Sequence, residues 1–89
     1  MQVHVPSPLR SYTGNLATVE ARGATLLELM AELDRIYPGM RFRMIDEQDR
    51  IRQHIRLFVN QELAESLEVR LRASDQVHII CALSGGVTG

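Results

Sequence analysis

A single amphipathic helical stripe, bracketed by short segments that alternate apolar and polar residues, limits what this chain can become. Leu26, Leu29, Met30, Leu33, Ile36 and Tyr37 recur at spacings of three and four, which lines them along one side of a helix and leaves Glu28, Glu32 and Arg35 largely on the wet side. Thr25 and Glu28 open the segment as a capping box, each expected to satisfy the other's unpaired backbone amide, and Pro38-Gly39 closes it. Such a stripe must be buried against another layer, and in 89 residues the only other layer on offer is built from the alternating segments. A chain this short buries only about 60–65% of its unfolded surface, so one domain without a deep cleft is expected.

Met1, Val3 and Val5 alternate with Gln2 and His4 as a half-buried strand does. The turn formers from Pro6 to Asn15 then predict a long hairpin tip, followed by a second strand over Leu16 to Arg22 with Ala17, Val19 and Ala21 on one face. After the helix, Met40 to Ile45 predicts a short helical turn and Asp46 to Asp49 a polar loop. His54 to Asn60 is the clearest strand, because Ile55, Leu57 and Val59 share one face and leave Arg56 and an exposed Phe58 on the other. Asn60-Gln61 predicts a tight turn, Leu67 to Leu71 a weak strand, and Val77 to Leu83 a final strand apolar on both faces. A strand of that last kind belongs at a sheet centre or under a cover. The order of elements, in which first and last strands can pair in parallel, predicts a β-grasp layout: an α+β, ubiquitin-like fold with a mixed four- to five-stranded sheet on one main helix.

Ten basic residues against eleven acidic ones give a formal charge of -1, too even for a nucleic-acid or anionic-membrane partner held by bulk electrostatics. All ten basic residues are arginine, so the chain cannot carry an isopeptide bond on itself. The lone Cys81 excludes an internal disulfide, and with no signal peptide evident it points to the cytoplasm; no apolar run approaches the roughly 20 residues that span a bilayer.

Conventional chemistry is poorly represented. His4, His54 and His78 lack any helical or hairpin spacing that would bring two together, so no metal site is expected, and Cys81 fits a small buried hydrophobe better than a reactive thiol. Asp46, Glu47 and Asp49 lack the glycine and terminal glutamate of a calcium loop. Arg41, Arg43, Arg50, Arg52 and Arg56 make a locally basic middle that interleaved acids partly neutralise. The remaining feature is the end, Ala82-Leu83-Ser84-Gly85-Gly86-Val87-Thr88-Gly89. A strand running into paired glycines makes a thin tail able to thread a narrow channel, reaching about 10 Å from Leu83 to Gly86.

With these residues in view the chain resembles the ThiS/MoaD family of ubiquitin-like sulfur carriers, and within it the carriers of cysteine synthesis, here with a C-terminal extension after Gly-Gly. The likeness runs through Val5-Pro6-Ser7-Pro8-Leu9-Arg10 with Thr13-Gly14, Thr25-Leu26, Tyr37-Pro38-Gly39, Phe58-Val59-Asn60, Asp75-Gln76-Val77-His78-Ile79-Ile80 and the tail from Ala82 to Gly86. Cys81 stands where the family usually has a proline, a departure at the base of the tail.

The resemblance implies a carrier domain over 1–86, with 87–89 removed by a metallopeptidase of the JAMM type. A ubiquitin-activating-type adenylating enzyme would activate the Gly86 carboxylate with its own ATP and magnesium. A persulfide sulfur would then displace AMP and leave a thiocarboxylate for a sulfur-accepting biosynthetic enzyme. The chain itself would be no enzyme and bind no cofactor. Phe58, Ile80, Leu83, Ser84 and Gly85 are the residues expected to meet the partner, and the product would be cysteine, a siderophore-like metabolite or another sulfur compound. Two other functions share the same end: the small subunit of molybdopterin synthase, and a modifier joined to lysines of other proteins.

Overall fold

The structure is a computed structural model that describes residues 1–82. Strands β1 (Gln2–His4), β2 (Thr18–Glu20), β3 (Ile55–Val59), β4 (Glu62–Ala64) and β5 (Gln76–Cys81) form one sheet in the order β2-β1-β5-β3-β4. β1 pairs with β2 antiparallel and with β5 parallel, and β3 pairs antiparallel with both β5 and β4. Helices α1 (Leu26–Ile36) and α2 (Met40–Met44) follow β2 in the chain. This mixed sheet with its first and last strands side by side at the centre is the β-grasp, ubiquitin-like fold.

The core forms where the two periodicities meet. Leu26, Leu29, Met30 and Leu33 of α1 are fully buried, in one cluster with Val3, Val19, Ile55, Leu57, Val77 and Ile79 from the inner face of the sheet. Each such side chain contributes about 1.5–3 kcal/mol relative to remaining in water. Ile36, at the end of the stripe, is more than a third exposed, and Tyr37 takes the C-cap position instead. The cap at the other end differs in detail from the expected reciprocal pair. Thr25 Oγ1 accepts from the Glu28 amide, but the Glu28 carboxylate accepts from the Ala24 amide rather than from Thr25. Thr25 itself lies in a bridge to Arg70, which brings the 67–71 segment against the start of the helix.

That contact corrects one sequence expectation. Leu67 to Leu71 is no strand: its groups bond Ala24, Leu26 and Leu27, and among the described residues its one bridge is Arg70 to Thr25. The strand lies earlier, at Glu62–Ala64, where the turn at Asn60-Gln61 sends the chain straight back along β3. The hairpin tip is likewise more ordered than its turn formers imply. Ser7–Thr13 forms a 3-10 helix that buries Leu9 and Thr13 and ends on Gly14 in the left-handed region. The second strand is shorter than the expected 16–22, running over Thr18–Glu20, although the Ala17 carbonyl still accepts from Val5 and the Ala21 amide still donates to the Met1 carbonyl on either side of it. The final strand ends at Cys81, with Leu83 outside the described residues.

Candidate functional site

Among the described residues, helices cover one face of the sheet. Following the register, the other face carries a row that crosses all five strands: Leu63 on β4, Phe58 on β3, His78 on β5, His4 on β1 and Thr18 on β2. Arg56 and Ile80 form the neighbouring pair, one step nearer the C-terminal end of β5. Leu63 and Ile80 are 48% and 44% exposed. Phe58, expected to be exposed, is half-buried among these neighbours. Leu63, Phe58 and Ile80 make an apolar cluster bordered by His78 and Arg56, a composition suited to protein docking. β5, apolar on both faces in sequence, is thus covered on one side only.

Local spacing keeps the three histidines apart, but the fold brings two of them together. His4 and His78 occupy paired positions on adjacent parallel strands, and their rings stack with centroids 4.2 Å apart and planes within 4°. Parallel pairing joins residues far apart in the chain, so no local spacing could announce the pair. His4 Nε2 also lies 2.9 Å from Gln76 Oε1. Burial, and secondarily the neighbouring His4, hold His78 below the ordinary histidine value, so the neutral form is favoured in the middle of the row. Among the described residues no group of three or more His, Cys, Asp or Glu side chains stands ready to hold a metal ion.

Beside His78 an open hollow is lined by Val59, Asn60, Gln61, Glu62 and Gln76. Its rim is braced by Asn60, whose backbone takes φ 58°, whose amide donates to the Gln76 carbonyl, and whose Nδ2 donates to Asp75. The Gln76 amide donates back to Asn60 Oδ1. The Arg72 amide and then the Asn60 side chain hold Asp75 below the usual carboxylate range. Asn60 thereby ties the β3–β4 turn to the start of β5, a role for the Phe58-Val59-Asn60 run beyond ending a strand.

The other end of β5 is where residue 82 leaves the sheet. The Ala82 amide donates to the His54 carbonyl at 2.7 Å, and the carbonyls on either side, Gln53 and Ile55, accept from Arg56 Nη1 at 2.7 and 3.1 Å. His54, just outside β3, is exposed. Cys81 is only partly buried, opposite Ile55, and its thiol is pushed up by burial, away from the reactive thiolate. Leu83, Ser84, Gly85, Gly86 and the extension Val87 to Gly89 lie outside the described residues.

The basic middle separates into distinct tasks. Arg41 pairs with Asp49, and Arg50 pairs with Asp46, whose carboxylate also accepts from the Gln48 and Arg50 amides and is held below its usual range chiefly by the latter. Arg52 donates to the Phe42 carbonyl with its guanidinium 4.5 Å from that ring's centre, and Arg43 lies over Tyr12. Those acids therefore close a turn, and the arginines do not converge on one site.

Comparison with known proteins agrees with the geometry. The model of the ThiS family matches residues 3–86. The sulfur carrier protein CysO of Mycobacterium tuberculosis is 29% identical over 89 residues, covering 94% of this chain and 96% of that protein. A chain of the Amycolatopsis orientalis BexX/CysO complex is 32% identical and superposes with a TM-score of 0.88, over 96% of this chain and 98% of that one. The small archaeal modifier protein 1 of Methanosarcina acetivorans, 22% identical, shares the fold with a TM-score of 0.79 over 96% of this chain and 94% of that one.

Proposed function

The chain belongs to the ThiS family, and from that premise we propose that it is a sulfur carrier whose working group is the carboxylate of Gly86, freed by removal of Val87-Thr88-Gly89. The observation that carries this reading is the combination of an open sheet face bearing Leu63, Phe58 and Ile80 with a central strand that is followed in sequence by Leu83-Ser84-Gly85-Gly86. From Ala82, extended chain spans about 13 Å by Gly86, enough to bring a carboxylate into another protein's active site while the body stays outside. Similarity to CysO, a sulfur carrier by name, supports the chemistry, and the Amycolatopsis relative's complex with BexX supports work done on a second protein.

The partner is an adenylating enzyme of the ubiquitin-activating type, which holds ATP and magnesium. The Gly86 carboxylate attacks the α-phosphorus, the bond to the β-phosphate breaks, and pyrophosphate leaves. The terminal sulfur of a persulfide then attacks the acyl carbon and AMP departs. A thiol cleaves the resulting acyl disulfide, is itself oxidised to a disulfide, and leaves a thiocarboxylate on Gly86. This chain contributes the reacting carboxylate and a docking surface made of Phe58 and Ile80 with Leu83, Ser84 and Gly85; positioning does the rest. A JAMM-type metallopeptidase exposes Gly86 beforehand, and a cytoplasmic biosynthetic enzyme takes the sulfur for cysteine, a siderophore-like metabolite or another product.

Intact-mass measurement on protein from its native host tests the scheme. The expected result is loss of residues 87–89 followed by a gain of about 16 Da, oxygen replaced by sulfur. Gly86→Ala should abolish that gain with folding intact. Sulfur transfer by a chain that keeps its full terminus, or full loading of Gly86→Ala, would overturn the assignment.

A further inference from the structure

Charge is distributed unevenly along the open face, and the distribution follows β5. Asp75 precedes the strand and Glu20 pairs with Gln2 beside Gln76, so two acids stand at its beginning, Glu20 3.8 Å from the Met1 ammonium and Asp75 near Arg72. At its end stands Arg56, exposed and paired with Ile80. Its Nη1 holds the Gln53 and Ile55 carbonyls, on either side of the His54 carbonyl that receives the Ala82 amide. The guanidinium is therefore fixed where the chain departs toward Gly86. Among the described residues it makes no ion pair with a carboxylate, and its Nε and Nη2 protons have no acceptor, whereas Arg35, Arg41 and Arg50 all pair with acids.

We propose that Arg56 is an orienting contact of the docking surface, meeting an acidic side chain at the mouth of the adenylating partner's channel, so that the partner seats with its channel at the tail end of β5. The inference rests on the carrier reading above and adds the chemistry of the partner's rim. An apolar patch alone has no preferred direction, whereas a cation at one end gives it one. Four residues lie between Ala82 and the end of Gly86, a reach of up to about 13 Å, so the contact is assigned to docking and not to the reacting carboxylate. Arg56 is a positioning residue whose effect falls on encounter and docking rather than on the chemical step.

The test uses the chain ending at Gly86 and the host's adenylating enzyme, purified by following ATP–pyrophosphate exchange that depends on this chain. Arg56→Glu should raise the half-saturating carrier concentration at least tenfold at low salt with the maximal exchange rate little changed, and added salt should narrow the gap. Arg56→Lys, which keeps the charge and loses the forked geometry, should restore most of the affinity, and Arg35→Glu on the helix should have no effect. A melting midpoint for each variant separates docking from folding. Equal half-saturation for Arg56→Glu and the parent, or equal weakening by Arg56→Lys and Arg56→Glu, overturns the charge contact while leaving the carrier reading intact. A shift in self-association on sedimentation, in place of a shift in half-saturation, assigns the face to a second copy and overturns it too. Absence of any carrier-dependent exchange overturns the carrier reading and this contact together.

Discussion

At the scale of single residues, the informative positions are those where a neighbour is closer than the sequence reveals. Gly23 punctuates the start of α1, and a Cβ there would lie 2.6 Å from the Leu29 amide nitrogen and 2.9 Å from its Cα. The obstacle is helix backbone, which cannot swing away as a side chain can. Gly23→Ala should therefore cost about 1–3 kcal/mol, read as a lower denaturant midpoint with an unchanged slope. The stacked histidines make a second residue-scale prediction. His78 titrates below its ordinary value of 6.5 in the fold because burial and His4 disfavour its cation. Below that ordinary value the unfolded chain binds more protons than the folded one, so stability falls as pH drops through it toward the folded value. Asp46 and Asp75 are shifted down from 3.8, and their contributions are lost only at still lower pH. Melting midpoints should thus decline from pH 7.5 to pH 5, and His78→Gln should flatten that decline; an identical decline in the variant would remove the pair as its cause.

At the scale of elements, the β3–β4 turn does more than reverse the chain. Asn60 accepts a left-handed backbone and bonds both the first residue of β5 and Asp75 before it. Asn60→Ala loses those side-chain bonds and meets a left-handed cost of about 1–2 kcal/mol. Amide exchange should accelerate at Gln76, whose N–H loses its acceptor, while amides of α1 change only by the global loss of stability. The elements legible in the sequence were those with strong periods: α1 over Leu26 to Ile36, α2, β1, β3 and most of β5. Those misplaced were short. A three-residue strand such as Glu62–Ala64 shows barely one alternation, and it forms because the turn delivers it to an unpaired edge of β3. Leu67 to Leu71 alternates as well, but the helix start claims its backbone groups.

At the scale of the whole molecule, a sheet with helices on one side has two unlike faces, and neighbouring residues of β5 test them. Ile79 is 1% exposed in the core, whereas Ile80 is 44% exposed on the open face. Ile79→Asp places a carboxylate among apolar groups with no partner and should cost several kcal/mol, a large part of a small domain's stability. Ile80→Asp should change stability by about 0.5 kcal/mol or less. Its expected effect is weaker docking to the adenylating partner, seen as a higher half-saturating concentration with the melting midpoint preserved. A comparable loss of stability from both substitutions would contradict the one-sided architecture.

The sequence by itself determined the fold class, the strongly periodic elements and the buried faces of Leu26 to Leu33 and of Ile55 and Leu57, because period and turn chemistry are local, while the Gly86 end is a proposal that rests on the family likeness. Only the tertiary structure decided that His4 stacks on His78, that Leu63 and Phe58 continue their row, and that Arg56 stands beside the departing chain. Those juxtapositions depend on which strands become neighbours and in what register, and strand pairing is chosen by the closure of the whole core rather than by any one segment.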